Sequence, residues 1–167
     1  MAEREEIFNS KIKYTGMFDF KSFYKFCHEW LTEELGLNVS EDKYTEKLAG
    51  NEKTIEIKWS TFKKVTDYFR FNIELKYKIT GLQEVEITEA GKKIKTNKGV
   101  IELKVKGELV RDYDGKFEKT AFNKFLRSIY EKWVIKSRID QYEDKLIGDC
   151  DEFLAQAKAF LDLEGKK

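Results

Sequence analysis

Cys27 and His28 stand side by side, in a chain whose one other cysteine is Cys150 and which has no other histidine. A histidine base in a nucleophilic mechanism would have to be His28. Zinc sites need ligands clustered at fixed spacing, and neither CxxC nor HxxxH occurs. The GxSxG elbow is absent, as are GxxxxGK[ST] and GxGxxG, so neither a serine nucleophile nor a phosphate-cradling loop is signalled. Carboxylates gather at Asp140, Glu143 and Asp144 and again at Asp149, Asp151 and Glu152. Acid–base chemistry needs such groups paired in a cleft with separated pKa values, whereas this spacing reads as the solvated face of an amphipathic helix. Asp112-x-Asp114-Gly115 resembles the opening of a calcium loop, but the position that should supply the final acid is Asn123. These residues argue against an enzyme and imply no metal and no cofactor.

Binding is better represented than catalysis. Lys92, Lys93, Lys95 and Lys98 form a basic patch between Gly91 and Gly99 that can contact phosphates. Nucleic-acid readers add arginine for base edges and aromatics for stacking; here no arginine lies in the patch and no aromatic between Tyr77 and Tyr113. Lysines on strand edges also serve to block edge-to-edge pairing. A second group is aromatic and aliphatic. Trp59, Phe69, Phe71, Ile73, Tyr77, Leu103, Val105 and Gly107 share one sheet face by alternation, and with Trp133 they can line an apolar cup. The competing reading of the same residues is a filled core.

The framework that positions them follows from periodicity. After a polar lead over 1–6, a strand is predicted from Ile7 to Thr15, ended by Gly16. Asp19 is a plausible N-cap for a helix whose apolar stripe is Phe20, Phe23, Tyr24, Cys27, Trp30, Leu31 and Leu35, with Gly36-Leu37 as a Schellman-type stop. Gly50-Asn51 suits a two-residue hairpin turn between a strand over 42–48 and one carrying Ile55, Ile57 and Trp59. From Tyr68 to Thr80 apolar and polar residues alternate without a break, the pattern of a half-buried antiparallel strand, and Gly81 ends it. A weaker strand covers Glu84–Ile87 and Lys92–Lys95, Thr96-Asn97-Lys98-Gly99 forms a turn, and Ile101, Leu103, Val105 and Leu109 face inward on the next strand. Gly107 on that inward face marks a bulge, a bend or a close approach by another element. Asp112-Tyr113-Asp114-Gly115 is a further turn.

From Glu118 to Leu163 everything reads helical. One helix of about 45 residues would be about 68 Å long, against a radius of gyration near 15 Å for a domain of this size. Such a helix must break, bend or protrude, giving two helices or one helix with two jobs, and the stripe shows where. Phe122, Phe125, Leu126, Ile129 and Trp133 share one face; Ile135, Ile139, Tyr142, Leu146, Cys150, Phe153, Ala157 and Phe160 share another, and the phase slips around Val134–Ser137. The first half is expected to cover the sheet. The second, 137–164, is then left without an intrachain partner, and Ile139, Tyr142, Leu146, Phe153 and Phe160 become the candidate interface to a second copy or another protein.

The expected class is therefore α+β: a single domain over 1–167, with a curved antiparallel sheet of about six strands packed by an N-terminal helix and a long, broken C-terminal helix. With 41% hydrophobic residues the chain is too apolar for disorder. Its net charge of +1 hides a basic middle, because residues 91–136 hold 13 basic and 6 acidic groups. The charged start is no signal peptide, no apolar run is long enough to span a membrane, and two distant cysteines fit a reducing cytoplasm.

The order of elements, carried by Ile12–Tyr14, Phe20–Leu35, Ile55–Leu109 and Phe122–Trp133, resembles the helix-grip (START-like) fold. That likeness implies a curved sheet around a C-terminal helix and an apolar cup for a hydrophobic small molecule or lipid. The chain departs from the pattern: helix-grip proteins usually have two short helices after the first strand and one more strand, and helix 139–162 is extra. The segment Gly16-Met17-Phe18-Asp19-Phe20 and the lysine-rich strands are similar to those of small archaeal α+β proteins, a likeness that implies no activity. Three functional expectations stand in order: a non-enzymatic assembly module using 139–160, an apolar-ligand binder, and a nucleic-acid binder through Lys92–Lys98.

Overall fold

The unbroken alternation that begins at Phe69 becomes the axis of the molecule. The computed structural model describes residues 3–115, 120–134 and 136–166. Strand β4 (Phe69–Glu89) pairs antiparallel with β5 (Lys92–Arg111) over nearly its whole length. Successive side chains point to opposite faces of a strand. Phe69, Phe71, Ile73, Leu75, Tyr77 and Ile79 are accordingly all buried on one face, opposite Ile101, Leu103, Val105 and Leu109. The other face is solvated and mixes signs, with Glu74 4.0 Å from Lys58 and 3.5 Å from Lys76.

Two local readings are corrected along these strands. Gly81 does not end β4, and Thr96-Asn97-Lys98-Gly99 is not a turn; both lie within continuous strands. Gly81 takes φ +62°, and the register slips between Thr80 and Gln83, so the chain bulges and bends without losing its partner. The bulge folds so closely over β5 that a Cβ at Gly99 would sit 3.0 Å from the Thr80 carbonyl oxygen. What reads as three strands is two long bent ones, which turns about six strands into five.

The strand order is β1-β5-β4-β3-β2, an open antiparallel sheet. β2 (Asn38–Ala49) and β3 (Glu52–Lys64) form the expected hairpin around Gly50-Asn51, with Gly50 at φ +65°. β1 (Glu3–Phe18) runs further at both ends than its apolar core suggests: Glu3 to Glu6 pair with β5 instead of fraying, and Gly16 stays in the strand. Met1 and Ala2 lie outside the described residues.

Helix α1 (Phe20–Glu29) then crosses the inner face toward β2 and finishes in a π-helical turn, Trp30–Glu34. Asp19 is at the N-cap position, but its carboxylate accepts from Ser22 Oγ, and the Phe20 N–H is bound by Asn97 Oδ1 at 3.1 Å. Gly36 (φ +66°) lets Leu37 N–H donate to the Leu31 carbonyl at 2.9 Å, closing the expected stop.

The C-terminal helices reverse the expected division of labour. Helix α2 (Ala121–Ile129) continues as a π-helical turn, Tyr130–Val134, and α3 spans Lys136–Glu164. The expected helical start near Glu118, and Ile135 at the phase slip, fall outside the described residues. The π-helical turn and α3 meet where the stripes change phase, but it is α3 that covers the sheet. Leu146, Cys150, Phe153, Leu154, Ala157 and Leu161 are buried in the core, and Ile139, Tyr142 and Phe160 pack at its margin. The supposedly unpartnered stripe thus finds its partner within its own chain. α3 lies beside α1 on the inner face, with Phe160 stacked on Phe26 at 4.9 Å. It approaches β5 at Gly107, where a Cβ would stand 3.2 Å from Cys150 Sγ and 3.3 Å from Phe8 Cβ. The missing side chain at Gly107 therefore serves close approach.

Candidate functional site

The aromatic face proposed as a cup is occupied. Trp59, Phe69, Phe71, Ile73, Tyr77, Leu103, Val105 and Gly107 are all buried beneath α1 and α3. Tyr77 lies 5.0 Å from Trp59 and 6.4 Å from Phe23 of α1, and Phe69 lies 4.9 Å from Tyr142 of α3, measured between ring centroids. Burial raises the Tyr77 hydroxyl and the Cys27 thiol well above their ordinary pKa values, as expected for groups sealed in a core. Burial, with Asp149 and Asp151 nearby, likewise pushes the Cys150 thiol up to about 12, so neither cysteine is primed as a nucleophile. His28 is exposed, its ring edge-on to Trp59 at 5.8 Å. No cluster of three or more His, Cys, Asp or Glu side chains fit to hold a metal ion occurs among the described residues.

The lysine patch is spread along the β4–β5 arm. Lys92, Lys93, Lys95 and Lys98 are all exposed, but Glu89 pairs across from Lys92 and Glu86 across from Lys95, and Lys95 reaches Glu84 at 3.9 Å. The acidic partner strand offsets the charge that the sequence shows in isolation.

Trp133 does not join the other cup residues. It belongs to the far end of the sheet, where β1 begins and β5 ends, and there the structure builds its most unusual surface. Thr120 caps α2, its Oγ1 accepting from Asn123 N–H at 3.1 Å. The helix turns its charged side inward. Arg127 Nε lies 3.3 Å from Glu131 Oε1 one turn on, Arg127 Nη1 lies 3.9 Å from the buried Asp112, and Arg127 also pairs with Glu3 of β1. Arg111 joins from β5, 3.6 Å from Glu131 and 2.9 Å from Glu5, and Tyr68 donates its hydroxyl to Glu131. Arg127, Arg111 and Glu131 are only 11%, 14% and 16% exposed. Burial, reinforced by Glu131, raises the Tyr68 hydroxyl strongly.

With the charged side inward, the apolar side faces out. Phe122 is 67% exposed, Phe125 59% and Trp133 74%, with Leu126, Ile129 and Tyr130 between them near 39%, 39% and 38%. No residue of α2 is buried. On one flank Lys124, Ser128 and Lys132, spaced four apart, line a groove of about 600 Å³ with Lys136, Ile139, Arg111, Arg127, Glu3 and Glu131. Lys132 Nζ lies 5.4 Å from the centre of the Trp133 ring.

A second concavity lies at the opposite end of the fold. A cleft of about 590 Å³ opens between α1 and the β2–β3 and β4–β5 arms, lined by Phe20, Tyr24, Tyr44, Ile55 and Leu82 with Lys21, Lys53 and Lys95 among its charged residues. Tyr24 donates to Glu41 at 2.7 Å, and burial together with that carboxylate pushes its hydroxyl up to about 12. Sequence reading missed this cleft because its wall depends on the Gly81 bend. The α2 face, in contrast, was legible as a stripe, and only its direction was not.

Compared with protein-family models, with curated proteins and with solved structures, the chain matches none.

Proposed function

We propose that this chain is a binding module without a reaction of its own, and that it docks on a partner through the outward apolar face of α2. One observation carries the reading: a helix fastened by its charged side with its aromatic side turned to solvent. Phe122, Phe125 and Trp133 alone expose about 400 Å² at roughly 200 Å² per ring. Contiguous patches of that size on a folded domain mark interaction sites. Covering it is worth on the order of 10 kcal/mol at about 25 cal/mol per Å², comparable to the roughly 4–15 kcal/mol cost of association. A reversible contact is the expected outcome.

The test is the double variant Phe125→Ser, Trp133→Ser. Retention on a phenyl matrix should fall sharply while the melting temperature stays unchanged or rises. A melting temperature lowered by more than about 4 °C, the upper end of the shift expected for about 1 kcal/mol in a domain of this size, would mean that the face packs within the fold and would sink the reading.

A second reading is supported by the cleft between α1 and the strand arms. Its volume of about 590 Å³ lies in the range of small-molecule sites, and its aromatic lining beside lysines suits an amphipathic ligand. On this reading the ligand sits at the mouth between α1 and the strand arms and not in the filled cup. Native mass spectrometry of gently purified protein checks it: a bound small molecule lost on Tyr44→Ala supports it, and bare protein counts against it.

A further inference from the structure

Building on the docking role of α2, we infer that its partner is the surface of an anionic phospholipid bilayer, with the aromatic ridge at the acyl boundary and a phosphate headgroup in the lysine-lined groove beside it. Four features of this end of the molecule converge on that partner.

The first is the distribution of charge. Lys124, Lys132 and Lys136 form no ion pair among the described residues, whereas Glu3, Glu131 and Asp112, the carboxylates packed behind α2, are engaged by Arg127 and Arg111. The rim of the ridge is thus cationic, and Glu3, Glu131 and Asp112 are held behind it. The second is the composition of the ridge. Phe, Leu, Ile and a terminal Trp on one face with lysines at the flank is the pattern of a helix lying in a membrane interface, where lysine stems can run along the apolar layer and lift their ammonium groups to the headgroups. The third is the groove itself. It brings Lys124, Lys132 and Lys136 together with Ser128 within about 600 Å³, directly beside the ridge, so one lipid can meet the charge and the apolar face at once.

The fourth feature concerns what a second copy would meet. Pairing two ridges antiparallel about a twofold axis would set each basic rim against another basic rim, with no outward carboxylate on α2 to answer it. The ridge is also narrow: the roughly 400 Å² of its three largest rings is about half of what each partner of a standard protein interface buries.

The experiment is co-sedimentation of the full chain with vesicles of phosphatidylglycerol mixed with phosphatidylcholine, against phosphatidylcholine alone, over a range of salt. Binding is expected to the anionic vesicles, to shift Trp133 emission to the blue, and to weaken as salt approaches 1 M, where the screening length falls to about 3 Å. Lys124→Ala, Lys132→Ala, Lys136→Ala together should reduce it about a hundredfold at the usual strength of lysine–lipid attraction, while leaving retention on a phenyl matrix intact. Trp133→Phe should abolish the blue shift, leaving Trp30 and Trp59 unmoved. No sedimentation with either vesicle overturns the inference; if the phenyl matrix still retains the protein, the docking face survives and its partner is a protein. Equal, salt-insensitive binding to both vesicles overturns the headgroup site. A dimer in light scattering that dissolves in Phe125→Ser, Trp133→Ser gives the face to a second copy and overturns it as well. Inorganic phosphate that protects the groove lysines from acetylation as well as vesicles do would assign the groove to free phosphate.

Discussion

α2 and α3 follow one another along the chain and each carries an apolar stripe, yet one shows that stripe to solvent and the other buries it. The difference lies in what each has on its opposite side. α3 runs for 29 residues and places Leu146, Cys150, Phe153, Leu154, Ala157 and Leu161 along the sheet, opposite Gly107, where β5 has no side chain to push it away. α2 is only nine residues long, and its charged side meets a waiting set of partners, Glu3, Tyr68, Arg111 and Asp112, at the sheet's end. The inner face holds α1 and α3 side by side. Burying α3 gains more apolar contact, and an ion-pair cluster then fixes α2 in the orientation that remains. An amphipathic stripe therefore states that a helix has a partner, without stating whether that partner lies in the same chain.

The sharpest way to break this comparison is to truncate one large apolar residue on each helix. Phe153→Ala should cost about 3–5 kcal/mol in urea unfolding, because it opens a cavity in a close-packed core. Phe125→Ala, at 59% exposure, should cost little beyond the few tenths typical of a surface change. Comparable losses at the two positions would refute the division of roles.

Gly107→Val probes the contact that draws α3 onto β5. Added methyls would meet Cys150 Sγ and Phe8 Cβ, already 3.2 and 3.3 Å from a single Cβ, and the expected loss is about 2–3 kcal/mol. A neutral result would mean that α3 can stand off the sheet.

Arg127→Met probes the fastening of α2. It leaves Glu131, Glu3 and Asp112 short of a cation at a site only 11% exposed, and about 1–3 kcal/mol should be lost. The informative readout is hydrogen exchange: amides of α2 should lose protection before those of α3. Uniform loss over both helices would show that they unfold together and that the cluster fastens more than α2.

The smallest expected effect depends on pH. Glu143 of α3 lies near Glu5 and Asp140, and burial followed by these two charges holds its carboxyl above the usual carboxylate range. The folded protein thus keeps this proton more tightly than the unfolded chain. The favourable contribution is fully present below the ordinary glutamate value of about 4.3 and is lost as pH rises through the raised one. Glu143→Gln should therefore raise the denaturation midpoint at neutral pH, and the gain should vanish in acid below that value. A gain that persists there would point to packing and not to charge.

Sequence alone determined the class of fold, the hairpin at Gly50-Asn51, the first helix with its Gly36 stop, the buried face of β4 and the position at which the C-terminal apolar stripe changes phase. All of these are local, set by periods of two or 3.6 residues and by residues that tolerate a left-handed backbone. It also determined that Gly107 has meaning, though not which of three meanings applied. Strand count escaped it, because Gly81 and Gly99 read as ends when their partner strand carries them through. The candidate site was half legible. The stripe of Phe122, Phe125, Leu126, Ile129 and Trp133 is plain in the sequence, but its outward direction was decided by residues up to 124 positions away, such as Glu3 meeting Arg127. Which of two apolar stripes wins a single sheet face is a competition between long-range contacts, and only the tertiary structure contains its outcome.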